Sequence, residues 1–593
     1  MTVAALLDVV KTRLAESRPI RRSLAGGGRL HIDRPVPFLA VYRRHAEADA
    51  DAGTADLVRT QAAYLIAPPD DAVAPFIEGI ATALADVCGG CLLLEVFAGD
   101  DATGPFRIHT AQPDRFATTI DALATALREL TREVEVVQEP RAPLFADAAR
   151  EGVLSIALEV PPSFRSEQGV FPTILRALTH ELAHVFQRTF FEFTRVQTPA
   201  RPEHFHMMGR RRLVQAVRES DRALAALDKE FDILLAVTPV NTEAAWQAFS
   251  ESSYTCTPTF HYRMVEIDPE IGKRRLYELP IEKLEDPVLA QLLRDKRREI
   301  DRRLDMLDDR DTPRFRYASL QLYGGVEDSL LADAEDIVAH AQLPARTHRD
   351  PDRVYAPAFA DRAREELAYY QLTSTVEIRD DVPSLIVTNG KLLVPARLDV
   401  AANRVEALIQ HEIGTHAVTY ANGAAQPLHV LASGLAQSES LQEGLAMFAE
   451  YAVGGLNLAR LRIIAMRVIA VRRMIEDVPF PQVVQELVER CGLTARAAFG
   501  VAVRVFRGGG LTKDAIYLRG LRALLDHLGA GGAIDPLLVG KIGFGQIVLV
   551  EELLRREVLR APLLRPRWLE LGSSRLARAR IGVTPIDLVE GTI

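Results

Sequence analysis

Cysteine is scarce in this chain, with only four in 593 residues. So few cysteines exclude a disulfide-stapled secreted scaffold and favour a reducing compartment. Cys88 and Cys91 form a CxxC pair, but Cys256 and Cys491 offer no second pair to complete a zinc ribbon. We therefore interpret residues 88–91 as a turn of small residues before a strand, rather than as a redox or metal site.

Long apolar runs are also missing. No segment approaches the roughly 18 uninterrupted apolar residues of a membrane helix, and arginines interrupt even residues 461–474. Residues 1–22 alternate apolar and charged side chains and lack the apolar centre of a signal peptide. We therefore expect a cytoplasmic protein with no membrane partner.

Positive charge is not in excess, because 71 Lys and Arg stand against 80 Asp and Glu, giving a net charge of −9. The isoelectric point near 5.9 agrees with this balance. Proteins that bind nucleic acid usually carry a basic surface. The composition thus predicts no nucleic-acid partner, and it says nothing about oligomeric state.

The length predicts more than one domain, since a single core seldom extends over so many residues. Residues 1–200 mix apolar strand-like runs with amphipathic helical ones, which indicates an α/β domain. Charged amphipathic helices follow and predict a helical connecting region at 201–342. Residues 343–593 are expected to form a mainly helical domain with a small β-hairpin sheet, so the fold class is α+β. The predicted strands are 38–42, 91–97, 134–137 and 154–160, and the predicted helices 75–87, 118–130, 210–235 and 284–308.

Two local signals lie near the start of the C-terminal domain. Residues 343–357 contain three prolines and several charges, and are the best linker candidate. Residues 385–394 are apolar around Asn389-Gly390, which predicts a β-hairpin with a type I′ turn. An edge strand beside a metal helix can pair with an extended peptide.

A histidine motif is the most informative feature. His411-Glu412-Ile413-Gly414-Thr415-His416 places two imidazoles five positions apart, which a regular helix would separate by about 140°. A π-type turn of about 4.4 residues would bring them back within roughly 50° of one another. Gly414 eases such a distortion. The motif therefore predicts a metal site on a locally widened helix, with Glu412 as a base.

A second helix should supply the third ligand. Glu439, Glu443 and Glu450 share one face there, so spacing alone cannot choose between them. Gly444 favours its neighbour Glu443, because a missing side chain would let the two helices approach closely.

These motifs resemble a known family. His-Glu-x-x-x-His followed by Gln442-Glu443-Gly444-Leu445-Ala446 is similar to the microtubule-associated tyrosine carboxypeptidases, and in particular to their bacterial branch, the flavohaemoglobin expression-modulating QEGLA-motif proteins. Residues 504–520 look like a further family block. The resemblance implies a Zn²⁺ ion held by His411, His416 and Glu443, with Glu412 as catalytic base, in a zinc metallopeptidase-like domain.

A basic cluster could recognise the substrate. Arg504, Arg507 and Lys513 surround three glycines, and a carboxypeptidase must bind a C-terminal carboxylate, for which Arg is well suited. We expect Thr512 to cap a helix that presents Tyr517 as a donor to the oxyanion. The alternative is that the basic residues pair with Asp514 and have a structural role.

His180-Glu181-Leu182-Ala183-His184 is a complete HExxH motif. Its histidines fall opposite the apolar stripe of the predicted helix, and no later residue fits a clear third-ligand pattern. We interpret it as a solvated or interface helix, with a second zinc site as the less favoured alternative.

Together these features predict a zinc metallocarboxypeptidase acting on a peptide or protein C-terminus. The alternative is a non-catalytic regulator of flavohaemoglobin expression.

Overall fold

The computed structural model describes residues 3–44, 53–68, 73–111, 114, 116–130, 132–137, 152–340, 352–382, 384–388 and 390–589. The chain forms two compact units. The first comprises Met1–Val217, Glu282–Gln291 and Glu551–Leu559, and the second comprises Arg218–Ile281, Leu292–Val550 and Arg560–Ile593. The three-part division expected from the sequence stays a prediction.

An eight-stranded mixed sheet forms the centre of the first unit, in the order β1-β2-β4-β3-β5-β8-β6-β7. The four central strands run parallel, with Leu92 of β5 opposite Leu154 of β8. Nearly all their residues are buried, as a parallel sheet covered on both faces requires. The strands are β1 (Ile20–Ser23), β2 (Arg29–Ile32), β3 (Phe38–Arg43), β4 (Ala63–Ala67), β5 (Cys91–Ala98), β6 (Phe106–His109), β7 (Val134–Val137) and β8 (Val153–Val160).

Five helices and a short strand pair complete the N-terminal part of this unit. They are α1 (Val3–Ala15), α2 (Thr54–Arg59), α3 (Val73–Cys88), α4 (Ala117–Glu129) and α5 (Pro172–Gln197), with β9 (Arg165–Ser166) and β10 (Gly169–Val170). The predicted α/β character is confirmed. Each predicted strand and helix of residues 38–160 is present within two residues of its expected ends.

The second unit is mainly helical. Helices α6 to α24 follow in chain order, of which α6, α10 and α22 have residues in both units, and five short strands form a two-stranded and a three-stranded sheet. The helices are α6 (Gln215–Asp228), α7 (Ile233–Ala236), α8 (Thr242–Glu251), α9 (Pro269–Tyr277), α10 (Pro287–Asp308), α11 (Arg314–Tyr323), α12 (Asp328–His340), α13 (Ala356–Tyr369), α14 (Ala402–His411), α15 (Val418–Ala424), α16 (Val430–Ser433), α17 (Ser438–Ala452), α18 (Leu458–Ile475), α19 (Phe480–Glu489), α20 (Ala495–Phe506), α21 (Ile516–Gly529), α22 (Ile547–Arg555), α23 (Trp568–Leu571) and α24 (Ser573–Ala579). The strands are β11 (Arg353–Tyr355), β12 (Val376–Arg379), β13 (Ile386–Thr388), β14 (Lys391–Pro395) and β15 (Asp399–Ala401).

The predicted hairpin is confirmed. β13 and β14 are antiparallel, with Thr388 opposite Lys391, and Gly390 has the positive φ of 77° that a tight turn needs. Asn389 lies outside the described residues, so the turn type stays a prediction. β13 is an edge strand, because β14 pairs with β12 on its other side.

Two sequence expectations need correction. The helix predicted at 210–235 is broken, because Asp232 accepts a hydrogen bond from the Leu235 amide at 3.0 Å and caps a separate short helix. Much of the predicted linker at 343–357 lies outside the described residues. Its last part is ordered, since Arg353–Tyr355 forms β11 and α13 begins at Ala356.

One small core fixes the helix that carries the histidine motif. Ile409 and Ile413 are fully buried and pack in a cluster with Phe359, Leu392 and Val394. Helix α13 and the small sheet thus hold one face of this helix. No helix among the described residues is both long and apolar enough to cross a membrane.

Candidate metal centre

The predicted wide turn is confirmed. Residues Glu412–Ala417 form a π-helix between α14 and α15, so one continuous helix carries the whole motif. Two backbone carbonyls at the π-turn accept hydrogen bonds from side chains. The Thr415 hydroxyl donates to the Gln410 carbonyl at 3.0 Å, and the Trp568 indole donates to the Gly414 carbonyl at 3.3 Å. A Cβ at Gly414 would collide with Gln410 and crowd Trp568. Glycine at position 414 thus leaves room for the π-turn, and neighbouring side chains supply hydrogen bonds to its carbonyls.

The wide turn brings the predicted ligands together. One ligand atom each from His411, His416 and Glu443 lie within 4.8 Å of one another. Glu443 Oε2 is 3.6 Å from His411 Nε2 and 3.9 Å from His416 Nε2. Ligand atoms of a tetrahedral zinc site, bonded at about 2.0–2.2 Å, are roughly 3.3–3.6 Å apart. The separation from His411 is at the upper end of this range, and the separation from His416 slightly exceeds it.

One unpaired carboxylate oxygen and one neutral imidazole in the cluster fit a cation. For His411, burial opposes protonation, but the hydrogen bond with Glu450 and the Glu412 charge raise its pKa. Glu443 Oε2 is buried and has no hydrogen-bond partner among the described residues. Burial raises the pKa of Glu443 to about 7, and the Glu412 carboxylate adds to this effect. Burial also lowers the pKa of His416 well below its usual value, so this imidazole is neutral and can donate its lone pair. A divalent cation would supply the missing partner of Glu443.

The structure separates the three glutamates that spacing could not. Glu443 faces the two imidazoles, whereas Glu439 pairs with Lys513 and with Arg303 at 3.0 Å. The reason expected for Gly444 was wrong. A Cβ there would collide with the carbonyl of Gly520 on α21, so Gly444 allows α17 to approach α21 rather than the motif helix.

Glu450 has a role that the sequence reasoning missed. It is fully buried, and His411 Nδ1 donates to its Oε1 at 3.0 Å, on the side of the ring away from Glu443. Arg404 and Arg460 bind the same carboxylate at 2.6 and 3.2 Å. Burial opposes ionisation, but Arg460 and His411 hold the pKa of Glu450 below its usual range. An ionised carboxylate on Nδ1 orients Nε2 towards a metal, and the seven-residue spacing from Glu443 was the available signal.

Glu412 and Tyr517 both lie beside the three ligands. Glu412 is buried, its Oε1 is 4.0 Å from His411 Nε2, and burial raises its pKa. Burial and then the Glu443 carboxylate raise the pKa of Tyr517, so its hydroxyl stays protonated and can donate. Thr512 does not cap the helix as expected. Its hydroxyl donates to the Ser319 carbonyl at 3.2 Å, and a 3₁₀ turn precedes α21.

The basic cluster divides into paired and unpaired groups. Arg504 makes two hydrogen bonds to Asp514, at 2.6 and 2.9 Å, and Lys513 pairs with Glu439. Arg507 differs. It is 5% exposed, donates only Nη1 to the Thr238 hydroxyl at 3.2 Å, and leaves Nε and Nη2 without a partner among the described residues. Its positive charge interacts with Tyr517 and Asp514, which places it in the same cluster.

The CxxC and HExxH motifs both lie in the first unit. Cys88 ends α3, Gly89 has a φ of 80°, and Cys91 begins β5, which confirms the interpretation as a turn. Burial raises the pKa of the Cys88 thiol to about 11. The apolar stripe predicted for the HExxH helix α5 is buried, while His180 and His184 are half-buried rather than solvated.

Comparison with known proteins gives a match for one part of the chain. No curated protein and no solved structure matches the chain. The family model described as "Microtubule-associated tyrosine carboxypeptidase" matches residues 247–581, which is more than half of the chain and includes all the residues of the cluster around Glu443. The chain therefore belongs to the microtubule-associated tyrosine carboxypeptidase family.

Proposed function

We propose that the protein is a zinc-dependent metallocarboxypeptidase whose Zn²⁺ ion is held by His411, His416 and Glu443. The observation that carries this proposal is the convergence of two imidazole nitrogens and an unpartnered buried carboxylate oxygen. Zinc in such a site polarises a carbonyl and lowers the pKa of water. Membership of a family named for carboxypeptidase activity supports the same reaction.

The surrounding side chains have distinct tasks in this proposal. Glu412, with its raised pKa, accepts the proton of the attacking water and delivers it to the leaving amine. Glu450 keeps the His411 ring in orientation. Tyr517 donates a hydrogen bond to the negative oxygen that develops on the scissile carbonyl.

Recognition of the C-terminus falls mainly to Arg507. Its two unpartnered nitrogens lie on one edge of a planar guanidinium and can bind a carboxylate with two parallel hydrogen bonds. Arg504 already uses the Nε and Nη2 edge of its guanidinium on Asp514, so it positions the cluster and adds positive potential. Lys513, bound to Glu439, has the same supporting role. The edge strand β13 could pair with the main chain of the residues that precede the scissile bond.

The branch of the family, the cellular location and the substrate are also proposals. The intact Gln-Glu-Gly-Leu-Ala sequence supports a place in the bacterial branch, and all four cysteines, each a described residue, are free thiols, which supports a cytoplasmic location. A peptide ending in tyrosine is the first substrate to test, because the family is named for that residue.

A mass-spectrometric screen of free-acid peptides tests this function. Wild-type protein loaded with Zn²⁺ should shorten peptides from the C-terminus, and His411→Ala should not. His261→Ala is the matched control, because that side chain is exposed. If wild type shortens no peptide in a library that includes every C-terminal residue, the alternative of a non-catalytic regulatory protein is correct.

A further inference from the structure

A second group of metal-ligating atoms lies within the first unit. One ligand atom each from His184, His206 and Glu552 lie within 4.8 Å of one another. His184 is on α5, His206 is in the 3₁₀ turn Phe205–Met208, and Glu552 lies 368 positions after His184 on α22. Both histidines are outside the matched family region, whereas Glu552 is inside it.

The distances in this group are shorter than those of the candidate metal centre. Glu552 Oε2 is 2.9 Å from His184 Nε2 and 3.6 Å from His206 Nδ1. These values bracket the roughly 3.3–3.6 Å that separates ligands of a tetrahedral zinc ion. Both imidazoles therefore direct a nitrogen at the same carboxylate oxygen.

The other oxygen of Glu552 fixes the carboxylate. Arg556 Nη1 donates to Glu552 Oε1 at 2.9 Å, and the same guanidinium pairs with Asp286 and donates to the Arg210 carbonyl at 2.8 Å. The carboxylate cannot turn without breaking this buried network. An outer arginine that orients a carboxylate is a common feature of metal sites.

A metal-free polar network explains the geometry less well. A hydrogen bond accounts for the 2.9 Å between His184 and Glu552. It does not account for His206, whose Nδ1 is 3.6 Å from Glu552 Oε2 and 3.4 Å from Gln187 Oε1, both long for a hydrogen bond. A cation between the three ligand atoms would satisfy that nitrogen.

We propose that His184, His206 and Glu552 bind a second divalent transition-metal ion of the zinc class, with a structural role. The ion would join α5, the turn at Phe205–Met208 and the segment Glu551–Leu559 within the first unit. His180 is not a ligand in this arrangement. The group whose ligand atoms lie within 4.8 Å of one another does not include His180, so the HExxH motif contributes one ligand instead of two.

Metal stoichiometry of the full chain tests the proposal. After loading with Zn²⁺ and dialysis, wild type should hold two equivalents, and His206→Ala and His411→Ala one each. His180→Ala is the matched control and should keep two, because it changes a neighbouring imidazole on the same helix. A zinc content that His206→Ala leaves unchanged would overturn the second site.

A second measurement is independent of the stability of His206→Ala. His411→Ala should retain only the proposed structural site, so adding Zn²⁺ to its metal-free form should raise Tm and saturate at one equivalent. No rise in Tm would contradict the proposal. The two proposals can fail separately: a single equivalent that is lost in His206→Ala and kept in His411→Ala would remove the catalytic zinc and retain the structural one.

Discussion

The two histidine motifs of this chain make an instructive pair. In α5 the spacing is the regular HExxH, yet His180 stays outside the group and only His184 reaches the candidate ligands. Around Gly414 the spacing is irregular, yet both histidines point at Glu443. Whether a motif forms a site depends on the carboxylate that tertiary structure brings to it, and on what orients that carboxylate and the imidazoles. Helical spacing alone decides neither.

The largest expected difference between the motifs is in catalysis. Glu412→Gln should lower peptide cleavage on the order of 10³-fold, because an amide cannot accept the proton, while zinc content is kept. Glu181→Gln makes the same change in the other motif and should leave cleavage unaltered. Initial rates on one free-acid peptide give the comparison. A loss of activity in Glu181→Gln would assign the chemistry to α5.

Arg507 offers the next contrast. Arg507→Ala should reduce kcat/KM for free-acid peptides by about 2–4 kcal/mol in transition-state binding, since a buried charge pair with the substrate is lost. Cleavage of amidated peptides should be weak in wild type and little changed by the substitution. Arg504→Ala is a less suitable variant, because it removes two hydrogen bonds to the buried Asp514. Equal wild-type turnover of both peptide forms would indicate an endopeptidase.

Glu450 allows the orientation of His411 to be tested. Glu450→Gln should weaken zinc binding at the catalytic centre by about 10–100-fold, because the hydrogen bond that orients the imidazole loses its charge. Competition with a chelator, measured in the His206→Ala background, isolates this one site. Unchanged affinity would mean that packing alone holds the ring.

The smallest effect concerns helix packing. Gly444→Ala should lower the free energy of unfolding by about 1–3 kcal/mol, because its Cβ has no room beside the Gly520 carbonyl. Gly545→Ala is a suitable control, since no atom lies within 4 Å of a Cβ there. Urea denaturation of both variants provides the measurement. Equal stability of the two would show that α17 and α21 can separate at little cost.

Local patterns predicted much of the fold. The strand and helix limits of the first unit follow from apolar periodicity, and the π-turn follows from the need to bring His411 and His416 to one side. Contacts between distant segments could not be predicted. Arg404 and Arg460 reach Glu450 from two other helices, and Glu552 meets His184 across 368 positions. The periodicity of one segment does not predict contacts between distant segments.

The π-turn also affects how proteins of this kind are found. It corresponds to a regular helical motif with one additional residue between the histidines, and the wide turn accommodates that residue so that both imidazoles stay on one side of the helix. A pattern search for HExxH finds residues 180–184 in this chain and passes over 411–416. In a genome survey, that search would select this chain by a helix that lies outside the matched family region.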